Sequence, residues 1–106
     1  MNPDQIYLKL EKAADDFADK EAAASLLEEM KHTVLSQCAS DWPEDSNAAA
    51  ESKARRDPKY IEHLKNMVEA RREANKAKAK YYSVQTWIDL MRSKESTERA
   101  KLMKGI

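Results

Sequence analysis

The sequence contains few residues that break helices or form turns. Its 106 residues include a single glycine, Gly105, and only three prolines, whereas Ala, Glu, Lys, Leu and Arg are abundant. Sheets and tight turns need more Gly, Val and Thr than this chain supplies, so strands are not expected. The composition predicts an all-α protein of long amphipathic helices, and the length is that of one domain.

The sequence also lacks features of secreted and membrane proteins. Cys38 is the only cysteine, so no internal disulfide can form, and the first residues have neither the basic nor the apolar region of a signal peptide. No apolar run approaches the roughly 20 residues that cross a bilayer. We therefore expect a cytoplasmic protein with no membrane partner.

Catalytic and metal-binding patterns are missing as well. A single glycine cannot build a glycine-rich phosphate loop. Glu29 and His32 have the Glu-x-x-His spacing of carboxylate-bridged metal bundles, but the other histidine, His63, has Tyr60 at the corresponding position. Cys38 lies on an apolar stripe with no base beside it, since His32 is well round the helix. The sequence therefore predicts no enzyme activity, no cofactor and no metal site.

Apolar residues recur every three or four positions in two long segments, which is the periodicity of amphipathic helices and coiled coils. Asn2 with Pro3, and Asp57 with Pro58, each supply an N-cap followed by a proline at the first helical position. The predicted order is a helix over about 3–40, a connector over 41–57 with a short helix at 48–56, a helix over about 58–93, and a tail over 94–106.

The two long helices have similar lengths, so we expect them to form an antiparallel hairpin. A two-helix hairpin buries one stripe of each helix, and several apolar residues lie off these stripes: Leu8, Leu26, Leu35, Ile61, Val68, Tyr82 and Trp87. Either the connector helix folds back over them or two hairpins pair into a helical bundle. We favour the homodimer, with Trp87 and Tyr82 as partner-binding residues.

Charges of opposite sign are separated along the chain. Residues 1–51 hold twelve Asp/Glu against four Lys/Arg, whereas residues 52–106 hold seven against fifteen. Such asymmetry favours either a basic surface for a polyanion or two helices that attract each other.

The strongest basic cluster lies in the second long helix, with an extension on the connector helix. The predicted nucleic-acid-binding residues are Arg71, Arg72, Lys76, Lys78 and Lys80, together with Arg55 and Arg56. The alternative is that these cations form a solvated face whose flanking members pair with carboxylates of the first helix: Asp15, Asp16, Asp19, Glu28 and Glu29. Both interpretations remain open from the sequence.

Part of the second half resembles a known group of proteins. The segment 53–100, with KARRDPKYIEHLKNMVEARREANKAKAKYY, Trp87 and ESTERA, is similar to small helical accessory proteins from the early, recombination-associated gene clusters of tailed bacteriophages. The resemblance implies an accessory role around DNA or inhibition of host machinery. It brings no catalytic residues.

Three functions are therefore compatible with the sequence. The first is a non-enzymatic accessory protein of phage-type DNA metabolism that contacts a protein partner and binds nucleic acid through its basic helix face. The second is a stoichiometric inhibitor or adaptor that presents its acidic face, around Asp15, Asp16, Asp19 and Glu21, to a host complex. The third is an architectural coiled-coil module.

Overall fold

The computed structural model describes residues 2–105, and all regular secondary structure in this range is α-helical. The prediction of an all-α protein is therefore confirmed. None of the described helices is both long enough and apolar enough to cross a membrane. The four helices are α1, Pro3–Glu29; α2, Lys31–Ala39; α3, Asn47–Ala54; and α4, Pro58–Lys104.

Local side-chain caps explain where three of the helices begin. Asn2 accepts a hydrogen bond from the Gln5 backbone N–H at 2.9 Å, and the Gln5 side chain accepts one from the Asn2 N–H at 3.2 Å. The Ser46 hydroxyl accepts from the Ala49 N–H at 3.2 Å at the start of α3. Asp57 accepts from the Lys59 N–H at 2.9 Å before α4. These caps satisfy amide groups that have no partner within the helix.

The helix expected over 3–40 is divided at Met30. Its ψ angle is −7°, away from the roughly −42° of a regular helix. Backbone hydrogen bonds from the Met30 N–H to Leu26 and from the Val34 N–H to Met30 still pass through it, at 3.0 and 2.9 Å. The interruption is therefore one irregular residue, and no Pro or Gly is present to cause a kink.

The last helix extends past the end expected at about 93. α4 continues to Lys104, so most of the segment expected to be a tail, 94–106, is helical. The reason is local, because 94–104 contains no Gly or Pro and is rich in good helix formers. Ile106 lies outside the described residues.

The chain divides into two compact units. The terminal unit contains residues 1–17 and 76–106, and the central unit contains residues 18–75. The core of the terminal unit consists of Ala13, Val84 and Ile88, with partly buried apolar neighbours: Ile6, Leu10, Tyr81 and Trp87. Most of these residues belong to the two apolar stripes seen in the sequence.

The core of the central unit lies around α2, α3 and the start of α4. Its buried residues are Leu35, Cys38, Ala54 and Tyr60, with Val34, Ala39 and Leu64 packed against them. Leu35 lies off the main stripe in the sequence but is only 8% exposed, because α3 packs against α2. The connector helix thus covers part of the surplus apolar surface. Ile61 and Val68 of the same unit remain exposed.

Candidate functional site

Arg71, one of the predicted nucleic-acid-binding residues, is held by two carboxylates of the central unit. Its Nη1 lies 2.6 Å from Glu21 Oε2, and its Nη2 lies 2.6 Å from Glu28 Oε1. Its Nε also donates a hydrogen bond to Glu28 at 2.7 Å. These hydrogen bonds, first with Glu21 and then with Glu28, raise the pKa of the guanidinium above its ordinary value. Arg71 therefore links α1 to α4 and confirms the pairing alternative at this position.

The cations near the connector helix are also mostly paired. Arg55 lies 2.7 Å from Glu51, one turn earlier on α3. Lys53 lies 2.7 Å from Asp45, and its ammonium is 4.3 Å from the centre of the Trp42 ring. Trp42 is thus partly covered by a lysine and not buried in a helical core.

Two other predicted nucleic-acid-binding residues of the central unit, Arg56 and Arg72, are exposed. Their side chains make no ion pair within residues 2–105. They are therefore the two cations of the predicted set in this unit that remain available to an anion.

The terminal unit carries the exposed lysines of the predicted set. Lys78 and Lys80 are exposed and form no ion pair in the described part of the chain. Lys76 is also exposed, and it has an interaction of its own. Residues 76–106 hold eight Lys/Arg against three Asp/Glu, whereas residues 1–17 hold two against four. The excess positive charge of this unit therefore lies on α4.

Aromatic residues of the terminal unit occupy different positions relative to the core. Trp87 is half-buried against the Ala13–Val84–Ile88 cluster, and the ammonium of Lys9 lies 5.7 Å from the centre of its ring. Tyr82 is 51% exposed, with its ring 5.6 Å from that of Tyr81. Lys9 was not among the predicted site residues.

The acidic residues predicted to bind a partner are not equivalent. Asp15 and Asp19 are exposed, whereas Asp16 is half-buried and already interacts with another group. Asp15 and Asp16 belong to the terminal unit and Asp19 to the central unit. Glu21, the fourth residue of the predicted face, is already paired with Arg71. The acidic-face hypothesis stays a prediction.

The buried titratable residues of the central unit occupy structural positions. Burial raises the pKa of the Cys38 thiol above its ordinary value of 9.0, and the carboxylates of Asp57 and Asp41 raise it further. His63 Nε2 donates a hydrogen bond to the Leu27 carbonyl oxygen at 2.8 Å, because that oxygen can only accept. Within residues 2–105, no group of three or more His, Cys, Asp or Glu side chains could hold a metal ion.

A groove of about 460 Å³ lies in the central unit between α2, the following loop and α3. Its walls include His32, Leu35, Trp42, Asp45 and Glu51. Both carboxylates are already paired, Asp45 with Lys53 and Glu51 with Arg55. The carboxylates of the groove are therefore neutralised by neighbouring cations, and the Trp42 ring beside them is partly covered by Lys53.

Comparisons of the chain with models of known protein families, with curated proteins and with solved structures gave no match.

Proposed function

We propose that this chain is a non-enzymatic helical binding protein that acts in the cytoplasm and binds a nucleic-acid backbone through the lysines of its terminal unit. The resemblance of residues 53–100 to phage accessory proteins supports a role in DNA metabolism beside a protein partner. One structural contrast carries the proposal. Arg55 and Arg71 of the central unit are paired with carboxylates, whereas Lys78 and Lys80 of the terminal unit are exposed and form no ion pair within residues 2–105. Arg56 and Arg72 are also unpaired, but they belong to a unit, residues 18–75, that holds twelve Asp/Glu against nine Lys/Arg.

The physical argument rests on the cost of replacing existing ion pairs. A phosphate that approached Arg71 would compete with Glu21 and Glu28, so little net attraction is expected there. A phosphate that approaches Lys78 or Lys80 displaces only water and small ions. The release of counterions from the nucleic acid then favours binding, and this contribution weakens as salt rises.

Fluorescence anisotropy of labelled oligonucleotides at low and high salt tests this proposal. Lys78→Gln and Lys80→Gln are compared as single variants, because the two side chains lie about 200° apart on α4 and a single backbone reaches one of them. The variant on the binding side should weaken binding and reduce the slope of log affinity against log salt by about 1, for one lost phosphate contact. The matched control is Lys59→Gln, which removes one exposed lysine of α4 in the central unit. Losses no larger than that of Lys59→Gln for both variants, or no binding by the unaltered protein, would contradict the proposal.

We also propose that the helices pair as an antiparallel hairpin and that two copies associate through an apolar edge of the central unit. Ile61 and Val68 are 40% and 71% exposed, and with the half-buried Leu64 they form one side of a shallow groove. Lys65 and Glu69 line the same groove. A two-fold axis near Val68 would place Lys65 of one copy opposite Glu69 of the other, so the surface is complementary to itself.

Sedimentation equilibrium of the unaltered protein and of Val68→Lys tests this association. Each copy would bring an added lysine to the axis of the dimer, so the charges would repel and the variant should be monomeric. Leu102→Lys places the same charge at a residue of the terminal unit that is 72% exposed, and it should leave the mass unchanged. An unaltered protein that is monomeric at all concentrations would refute the association without affecting nucleic-acid binding.

A further inference from the structure

One contact in the terminal unit shows which sides of α1 and α4 meet. The Lys9 ammonium lies 5.7 Å from the centre of the Trp87 ring, so the side of α1 that carries Lys9 adjoins the side of α4 that carries Trp87. On the opposite side, Arg92 donates a hydrogen bond to the Tyr7 hydroxyl at 3.0 Å. Tyr7 is two residues from Lys9 and therefore about 200° round the helix. The two sides of this helix pair are thus distinct.

Further lysines fall on the Trp87 side by helical spacing. Lys80 and Lys94 precede and follow Trp87 by seven residues, about two helical turns or roughly 10 Å in each direction. Lys12 lies three residues after Lys9, about one turn further along α1. All four lysines are exposed. We call this surface, formed by Lys9, Lys12, Lys80, Lys94 and Trp87, the tryptophan face.

Negative charge on the tryptophan face is limited. Asp16 lies on the same side of α1, seven residues after Lys9, but it is half-buried and already interacts with another group. Glu98 lies at the far end of the face, one turn beyond Lys94. On α4, the position four residues before Trp87 is the uncharged Ser83. The face therefore combines a row of cations with a half-buried aromatic ring.

A row of lysines beside an aromatic ring fits a different ligand from a surface that is only basic. A ligand complementary to it has regularly spaced anions and a planar group that can stack on the indole. Single-stranded nucleic acid has both, because its bases are accessible, whereas duplex bases are stacked inside the helix. An exposed lysine row alone would bind both forms through phosphate.

We propose that the tryptophan face binds single-stranded nucleic acid, with one base stacked on Trp87 and the backbone along Lys9, Lys12, Lys80 and Lys94. The Lys9 ammonium, which lies over the ring in the free protein, moves to a phosphate when the base arrives. This inference rests on the proposed function and adds to it a preference for single strands and a side of α4, that of Lys80 and not of Lys78, which lies about 180° round the helix from Trp87. It also explains why Lys9, on the acidic half of the chain, belongs with the lysines of α4.

The test uses the intrinsic fluorescence of Trp87. The chain has two tryptophans, so Trp42→Phe leaves Trp87 as the sole emitter. Titration with an oligothymidylate should quench its emission in a saturable manner that weakens with added salt, because a stacked base quenches the indole. A duplex of equal length should bind with less quenching.

Two further variants test the role of the ring. Trp87→Leu keeps an apolar side chain against the core, and it should weaken single-strand binding about tenfold, as expected for one lost stacking contact, with little change for the duplex. Tyr82→Leu is the matched control, since Tyr82 is exposed in the same unit but five residues from Trp87, outside the tryptophan face. Its affinities should be unchanged.

The outcomes separate this inference from the proposed function. In one outcome, anisotropy shows salt-dependent binding of both oligonucleotides, but the emission of Trp87 is not quenched and Trp87→Leu binds with unchanged affinity. This result would refute the stacking site and leave the proposed function standing. If the protein binds neither the single-stranded nor the duplex oligonucleotide, both the stacking site and the proposed function are refuted. Circular dichroism of each variant establishes that it retains the helical content of the unaltered protein.

Discussion

Arg71 and Arg72 are adjacent in the sequence but differ in their surroundings. Arg71 contacts Glu21 and Glu28, whereas Arg72 is exposed and makes no ion pair within residues 2–105. The sequence placed both in one basic cluster, because helical spacing shows which side chains share a face but not which carboxylate a neighbouring helix brings to each. The difference arises from packing between α1 and α4.

We predict that Arg71→Gln lowers the free energy of unfolding more than Arg72→Gln does. The Arg71 change leaves two carboxylates facing each other without their cation, whereas the Arg72 change removes a solvated charge. Urea denaturation followed by circular dichroism measures both. The difference should shrink in high salt, which screens exposed charges. Equal effects would show that the Glu21–Arg71–Glu28 contacts contribute nothing to stability.

Cys38 provides a second prediction at the level of one residue. Its thiol is 4% exposed and its pKa is raised by burial and then by Asp57 and Asp41. A thiol-specific reagent should therefore react slowly with the folded protein and fast in urea, because the thiolate is the reactive form. Rapid reaction under native conditions would contradict this placement.

The same pKa shift predicts the pH dependence of stability. The folded-state pKa is raised, so the folded protein holds its proton more tightly, and this contribution is complete below the ordinary value of 9.0. It is lost as pH rises above 9.0 and through the folded-state pKa. The free energy of unfolding of the unaltered protein should therefore fall relative to that of Cys38→Ala above pH 9.0. Parallel curves for the two proteins would contradict the shift.

At the level of helices, the features that depend on residues adjacent in the sequence were predictable. The capping residues Asn2 and Asp57 and the short connector helix follow from local rules of helix termini. The irregularity at Met30 and the length of α4 did not follow from the pattern. Met30 carries no Pro or Gly signal, and the end of α4 is maintained by helix propensity without an apolar stripe to mark it.

The last turns of α4 should contribute little to stability. The side chains of 96–104 are exposed, and the one described hydrogen bond of a side chain there is Thr97 to the Ser93 carbonyl oxygen, within α4 itself. Deletion of residues 97–106 should therefore shift the thermal midpoint only slightly. Ile88→Ala, in the core of the same unit, should cost about 2–5 kcal/mol. A large decrease of the thermal midpoint on deletion would contradict this expectation and show that the segment makes stabilising contacts.

At the level of the whole molecule, the candidate site was only partly predictable. Lys78 and Lys80 were named from the sequence, since they belong to a visible basic cluster, whereas Lys94 was not. The association of Lys80 with Lys9 was not predicted, because contact between Lys9 and Trp87 depends on how residue 9 aligns with residue 87 across two helices. An assumed antiparallel register, combined with the apolar stripes, is the one signal that could have revealed it.

Alanine is frequent among the buried residues of this protein. Within residues 2–105, six of the eleven buried apolar side chains are alanines, beside larger ones such as Leu35, Tyr60 and Ile88. Unfolding should therefore expose less apolar surface than in an ordinary domain. The exposure of apolar surface to water is the main source of the heat-capacity increase on unfolding. Scanning calorimetry should yield an increment below the roughly 12–15 cal/mol/K per residue of ordinary domains. The protein would then have a shallow stability curve, with folding nearly insensitive to cold.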